Sequence, residues 1–267
     1  MLDANAAVIR LAIFWGGLVL FLLLELLSPY RPPSVPKLRR WAINLGLTAL
    51  NTLVLTALFG TAILATAQYV TTNSLGALNH LGARGLPHGL RVLLTVVFMD
   101  FMLYVWHLLN HEVPLMWRFH RVHHTDLNMD VSTATRFHIG ELSLSAIIKI
   151  GLIYLIGADP LSVIIFESSL VLCAQFHHSS LRVPAWLERA WWVLFVPPSM
   201  HRIHHSVKIR ERNSNYGTIF SLWDRVMGTL VAGVDQDGIR IGVGGHFDQA
   251  KLGLGRLLVM PFSRYVR

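Results

Sequence analysis

The stretch DFMLYVWHLLNHEVPLMWRFHRVHHTD, residues 100–126, is unusually rich in histidine. Its histidines recur at intervals of three and four residues, which places side chains on one face of a helix. A second segment, HRIHH at residues 201–205, repeats the end of this stretch. Gathered imidazoles are costly to bury unless a cation shares their lone pairs. The pattern therefore predicts a metal site formed by these clustered residues: His107, His111, His120, His123, His124, His201, His204 and His205.

The number of histidines distinguishes between kinds of metal site. Cys173 is the one cysteine of the chain, so a thiolate-rich site cannot form within it. A structural zinc site is closed by four ligands, and the clustered imidazoles outnumber them, which favours two metal ions. Haem is a rival, but it would take one histidine from each of two helices. That arrangement gives no reason for adjacent pairs such as His123 and His124.

Further histidines lie outside these clusters. His138 occurs in RFHIGE, and His177 and His178 occur in QFHHSS. The topology described below returns both segments to the side where the clusters lie, so we predict His138 and His177 as ligands. The sequence leaves the role of His178 open. Isolated histidines are more often surface or hydrogen-bonded residues, and we interpret three in this way: His80, His88 and His246.

Three carboxylates are candidates to orient the metal ligands. A carboxylate that accepts the outer N–H of a ligating imidazole fixes its tautomer, and Asp100, Glu141 and Asp224 are placed for this role. Each also has a local alternative. Asp100 could accept from nearby backbone or tyrosine, Glu141 could be a helix N-terminal charge, and Asp224 could pair with an arginine.

The composition is that of a membrane protein. Of the 267 residues, 53% are hydrophobic and only 14% are charged, which departs strongly from an ordinary soluble domain. The net charge of +8 comes from basic residues scattered in loops beside apolar segments. We therefore expect lipid headgroups as the acidic neighbours and no binding of nucleic acid.

The apolar runs predict an all-α helical bundle in the membrane. Residues 8–27, 43–70 and 90–109 are long enough to cross it as three full spans. The shorter runs 142–156 and 161–176 flank the turn GADP and predict a re-entrant helical hairpin. The chain beyond residue 201 is more polar, so we expect a histidine-rich cytoplasmic cap that ends in the basic residues Arg264 and Arg267.

The orientation follows from the basic residues after the first span. Arg31, Lys37, Arg39 and Arg40 place that segment in the cytoplasm by the positive-inside rule. The third span then brings its histidines to the cytoplasmic edge. We expect a single domain over residues 1–267, with the first apolar run kept as an anchor because no cleavage pattern follows it.

Seven short motifs follow one another along the chain: DFMLYVWHLLNH at 100–111, HRVHH at 120–124, RFHIGE at 136–141, FHHS at 176–179, HRIHH at 201–205, NYG at 215–217 and WDRVMGT at 223–229. In this order the motifs resemble those of the fatty acid hydroxylase and sterol desaturase superfamily of membrane-bound histidine-box enzymes. Ile139 stands where the family usually has proline, and Ser180 where asparagine is common.

The resemblance implies a catalytic region over residues 100–229 that holds two iron ions. In such enzymes the di-iron centre uses O2 to hydroxylate or desaturate an unactivated C–H bond of a fatty acyl, sterol or related lipid. The chain has no GxGxxG loop, and its one cysteine is too few for an iron–sulfur cluster. We therefore expect electrons to come from a separate reductase, or from a ferredoxin- or cytochrome-type donor. We also expect the protein to lie in a bacterial inner membrane.

Two other functions remain open from the sequence. A zinc-dependent membrane lipid hydrolase would use a metal-bound water as nucleophile, and it needs fewer histidines. A metal transporter or store would distribute histidines along a crossing pathway. The bunching of the histidines at helix ends disfavours the transporter, while metal content and O2 dependence distinguish the hydrolase from the oxidative enzyme.

Overall fold

The computed structural model describes residues 2–263. The predicted basic tail, Arg264 and Arg267, therefore lies outside the described residues. The helices, in chain order, are α1 (Leu2–Leu27), α2 (Lys37–Phe59), α3 (Ala62–Thr72), α4 (Ala77–Ala83), α5 (His88–Glu112), α6 (Pro114–His124), α7 (Ile139–Ile156), α8 (Pro160–His178), α9 (Ala185–Trp192), α10 (Pro198–His204), α11 (Ile209–Arg212), α12 (Leu222–Val226) and α13 (Leu254–Val259).

The expectation of an all-α membrane bundle is confirmed. Within residues 2–263, five helical segments are long and apolar enough to cross a membrane, and the two runs expected to form a short hairpin, α7 and α8, are among them. A re-entrant path for this hairpin stays a prediction. The five segments are Ala6–Leu27, Lys37–Ala83, His88–Glu112, Ile139–Ile156 and Pro160–His178.

The second predicted span is broken into two helices. Gly60 has a positive φ of 48° and ends α2, a conformation that glycine adopts at little cost. The helix resumes at Ala62 as α3. The apolar pattern did not reveal the break, because leucine, alanine and threonine continue on both sides of Gly60.

The long helices pack around a common apolar core. α8 packs against α1 and α5, and α7 packs against α2 and α3. The core between them contains Ala67, Met99, Ile153 and Phe166. At the end of the bundle opposite the histidines, Gly157 adopts a left-handed conformation with φ of 75° and turns α7 into α8. The start of α7 and the end of α8 therefore lie at the same end of the bundle, where α5 also ends.

The opposite end of the bundle holds the histidine-bearing segments. Pro114 starts α6 directly after α5, because proline fits the first turn of a helix but not its interior. The buried loop after α6 is held by Arg40 of α2, which donates to Asp126 at 2.5 and 2.7 Å and to Asp130 at 2.6 Å. Arg136 donates to Asn44 at 2.9 Å and to the carbonyl of Val122 at 2.9 Å. These bonds fix the loop and α6 against α2.

Candidate metal centre

Nine buried histidines converge in two groups, and within each group the candidate ligand atoms lie within 4.8 Å of one another. α5, α6 and α10 supply the first group. α8 adds a ligand to the second group, beside residues from α6 and the end of α10. The first group is His107, His111, His120, His124 and His204, and the second group is His123, His178, His201 and His205.

Helical spacing explains the convergence. His107 and His111 are four residues apart at the end of α5, and His120 and His124 are four apart on α6. Such pairs lie one above the other on a helix face. His123 points to the second group because it lies one position away from His124 on the same helix. The HxxHH pattern thus divides its histidines between the two groups.

The backs of several rings are fixed by acceptors. His107 Nδ1 is 2.8 Å from the carbonyl oxygen of Tyr216, and His204 Nδ1 is 2.7 Å from that of Ser214. A carbonyl oxygen only accepts, so each Nδ1 carries the proton and each Nε2 has a bare lone pair. These two Nε2 atoms are buried and have no hydrogen-bond partner among the described residues.

In the second group, bare lone pairs face each other. His178 Nδ1 donates to the carbonyl of Ala174 at 2.7 Å, and His123 Nδ1 lies 3.3 Å from the carbonyl of Arg136. Their Nε2 atoms are 3.1 Å apart, and His201 Nε2 is 2.9 Å from His178 Nε2. The unprotonated Nε2 atoms of His123 and His178, at 3.1 Å, repel each other unless a cation lies between them. The donor set therefore fits a metal ion.

Five grouped histidines outside the spanning helices are held in the neutral form. Burial, reinforced by neighbouring imidazoles, holds the pKa of each well below its ordinary value. Neutral imidazole is the form that binds a metal. The residues concerned are His123, His124, His201, His204 and His205.

The structure places His138, His177 and His178 differently from one another. His178 belongs to the second group. His177 lies outside both groups, and the centroid of its ring is 4.0 Å from that of the His201 ring. His138 also lies outside both groups. Its Nδ1 accepts from the N–H of Gly140 at 2.9 Å and caps α7, while its Nε2 is 3.0 Å from the carbonyl of Leu258. Both nitrogens of His138 are therefore occupied by backbone groups.

Of the three candidate carboxylates, Glu141 contacts a histidine of the groups directly. Its Oε1 is 2.8 Å from His120 Nδ1, which directs His120 Nε2 into the first group. Asp224 accepts from the backbone N–H groups of Tyr216 and Gly217, both at 2.8 Å. It therefore acts on His107 through the loop that carries the Tyr216 carbonyl. Both Glu141 and Asp224 are buried.

Asp100 lies one step further from the histidines. It accepts from the backbone N–H groups of Ile219 and Phe220, both at 3.1 Å, and from Trp223 Nε1 at 2.7 Å. Its role is thus to anchor the segment between Tyr216 and α12 on α5, which matches the local alternative rather than an imidazole contact.

The sequence patterns did not reveal two sets of supporting residues. One is the Arg40 network described above. The other is Glu25 at the end of α1, whose Oε1 accepts from Val131 N at 2.6 Å and from Ser180 N at 2.8 Å. An acidic residue at the end of an apolar run, beside a basic loop, reads as an interfacial charge. Its pairing with two distant loops emerges only in three dimensions.

A cavity of about 290 Å³ leads from the histidines into the membrane-spanning helices. His107, His120, His123 and His201 lie at one end of its wall. Its middle is apolar and comes from α1, α5 and α8, with these side chains: Phe14, Leu103, Trp106, Leu170, Val171 and Ala174. The cavity can therefore hold an apolar chain beside the histidine groups.

Comparisons with known proteins agree on one family. The sequence model of the family described as fatty acid hydroxylase matches residues 92–229. An ornithine lipid hydroxylase, OlsE of Rhizobium tropici, is 30% identical over 213 residues, which are 78% of this chain and 61% of the relative. No solved structure matches the chain.

Two animal relatives match a shorter region. The human cholesterol 25-hydroxylase is 28% identical over 142 residues, covering 52% of this chain and 50% of the relative. The alkylglycerol monooxygenase of Xenopus tropicalis is 32% identical over 140 residues, covering 52% of this chain and 30% of the relative. The chain thus spans less than two thirds of the length of each of these three relatives.

Proposed function

The chain belongs to the fatty acid hydroxylase family, and from this premise we propose that it is an O2-dependent lipid hydroxylase or desaturase with two iron ions. The first group of histidines would hold one ion and the second group the other. The similarity to an ornithine lipid hydroxylase, a cholesterol 25-hydroxylase and an alkylglycerol monooxygenase supports oxidation of a lipid.

The 3.1 Å approach of His123 Nε2 to His178 Nε2 carries the assignment of metal to this site. Both rings present bare lone pairs, as their Nδ1 contacts show, so the buried pair is stable only with a cation between them. Nine imidazoles without a cysteine exceed the needs of one tetrahedral zinc ion. Histidine-rich ligation also suits iron.

Two iron ions would supply the redox chemistry that breaks an unactivated C–H bond. The chain's own residues do the remaining work. Glu141 holds the His120 ring in the orientation that binds metal. The apolar side chains of the cavity exclude water and hold a lipid chain with one carbon beside the histidines. No side-chain nucleophile is needed.

We propose that electrons come from a separate reductase or a ferredoxin- or cytochrome-type donor. The basic loop after α1 supports a cytoplasmic position for the histidine end, and we propose the bacterial inner membrane as its location. We treat residues 1–267 as a single membrane domain whose catalytic region is 100–229.

Lipid analysis under isotopically labelled O2 tests this function. Membranes that contain the protein should accumulate a lipid with one labelled oxygen atom or with two fewer hydrogen atoms. His123→Ala should abolish this product, whereas His80→Ala, on the exposed surface of α4, should retain it. A product that forms without O2 by cleavage of an ester or amide would instead indicate the zinc-dependent lipid hydrolase.

A further inference from the structure

Three charged residues meet inside the membrane-spanning helices, away from the histidines. Glu167 of α8 lies 2.7 Å from Arg10 of α1 and 2.8 Å from Lys149 of α7, each distance joining a carboxylate oxygen to a side-chain nitrogen. The Glu167 side chain is 8% exposed, that of Lys149 is 21% exposed and that of Arg10 is 38% exposed. We refer to these three residues as the polar triad.

The charges of the polar triad do not balance. Two cations share one carboxylate, which leaves an excess of one positive charge between the spanning helices. Ionisable residues at membrane depth are costly and usually face a cavity or a partner. One lysine or arginine would suffice to neutralise Glu167 and to lock the helices together. The second cation therefore favours an anion as a further partner.

The polar triad opens onto the same cavity system as the histidines. Lys149 lines the 290 Å³ cavity, whose wall also contains His201 of α10. Together with Leu170 and Val171, it also lines a second cavity of about 220 Å³ that contains Arg10 and Glu167. Ser168 Oγ is buried at the wall of this second cavity and has no hydrogen-bond partner in the described part of the chain. An unpaired hydroxyl and an excess cation thus face one space.

Helix geometry gives the distance between the two ends. Glu141, which contacts His120, and Lys149 are eight residues apart on α7, or about 12 Å along the axis. His178 and Glu167 are eleven residues apart on α8, or about 16 Å. With C–C bonds of about 1.5 Å, these lengths correspond to a chain on the order of ten bonds.

Resting on the proposed function, we infer that the polar triad binds the anionic head of an amphiphilic lipid substrate. The carboxylate or phosphate monoester of the lipid contacts Lys149 and Arg10, and Ser168 Oγ donates a hydrogen bond to it. The apolar chain lies along Leu103, Leu170 and Val171. The carbon presented to the histidines is then on the order of ten bonds from the head.

Binding measurements with defined amphiphiles test this inference on the full-length protein in neutral detergent. The probes are palmitic acid, hexadecyl phosphate and methyl palmitate, which share an apolar chain and differ in head charge. We expect one or both anions to bind about tenfold more tightly than the ester, the effect of a charge-assisted contact. The better of the two anions identifies the head group as carboxylate or phosphate.

Lys149→Met should reduce that preference about tenfold, because the methionine keeps the apolar stem and leaves Arg10 paired with Glu167. Lys251→Met is the matched control, since Lys251 is exposed and lies on the polar cap. Both variants should retain the iron content of the unchanged protein. Equal affinities for the two anions and the ester, or an unchanged preference in Lys149→Met, overturn the inference. The polar triad would then only hold the three helices together.

The readout distinguishes this inference from the proposed function. Head-group preference is a binding property and does not require iron or O2. If the anions bind preferentially and Lys149→Met removes the preference, the inference stands even where no iron is found. If iron and O2-dependent oxidation are present but the head charge has no effect, the inference alone fails.

Discussion

At the scale of single residues, several rings of the site are oriented by an acceptor behind them. His107 and His204 donate to backbone carbonyls, and His120 faces Glu141. The sequence predicted eight of these nine histidines because HxxxH and HxxHH place them on helix faces. It left His178 open, since two adjacent histidines at the end of α8 point in different directions and only the packed structure shows which one meets His123.

Glu141→Ala should weaken iron binding by about 10- to 100-fold, because the second-sphere acceptor of His120 is lost. Glu141→Gln should recover part of the affinity, since its amide oxygen can still accept from Nδ1. The fraction of iron that each variant retains in the presence of a chelator measures both effects. Asp248→Asn, on the exposed cap, is the control. Equal retention in Glu141→Ala and the unchanged protein would show that His120 needs no orientation.

The metal-free protein should lose stability as pH falls through the ordinary histidine pKa of about 6.5. Folding lowers the pKa of His123, His124 and His205, so below that pH the unfolded chain binds more protons than the folded one. The free energy of unfolding, followed from about pH 8 to pH 5, checks this sign. A flat profile would mean that these rings are not held neutral.

At the scale of elements, buried charges and special turns fix the helices that carry the ligands. The pattern of apolar runs and turn residues predicted the long helices and the hairpin α7–α8. It could not predict the break at Gly60 or the pairing of α2 with the loop after α6, because neither leaves a periodic signal. Those features depend on one backbone conformation and on charges far apart in sequence.

Arg40→Met should destabilise the fold by about 3–5 kcal/mol, because it leaves Asp126 and Asp130 buried without their cation. Burial alone would raise the pKa of Asp126, but Arg40 holds that pKa down at about 2. Arg39→Met is the matched control on the exposed side of α2. Thermal unfolding in detergent compares the two. Similar losses in both variants would contradict a structural role for the buried network.

Gly157→Ala should destabilise the hairpin by more than about 1–2 kcal/mol, the cost of a left-handed residue with a side chain. The added Cβ would also approach the carbonyl oxygen of Leu75 to 2.5 Å. Gly151→Ala is the control, because a Cβ at that helical position meets nothing within 4 Å. Unfolding midpoints of the two variants check the difference. A tolerated Gly157→Ala would show that the loop between α3 and α4, which contains Leu75, does not pack tightly on this turn.

At the scale of the whole molecule, the bundle places the histidine groups and the polar triad along two cavities that share Lys149, Leu170 and Val171 in their walls. Composition and hydropathy predicted the membrane bundle, and the order of the histidine motifs predicted the family. The polar triad was not predicted, because Arg10, Lys149 and Glu167 come from three different apolar runs. Each looks like an isolated charge until the helices are packed together.

The central claim is that the two histidine groups hold two iron ions, and metal analysis tests it most directly. Protein purified under iron-replete conditions should contain about two irons per chain, since nine imidazoles exceed the needs of one ion. His204→Ala in the first group and His178→Ala in the second should each lose about one ion, while His80→Ala should keep both. Zinc near one per chain, unaffected by His178→Ala, would contradict the di-iron site and favour the hydrolase.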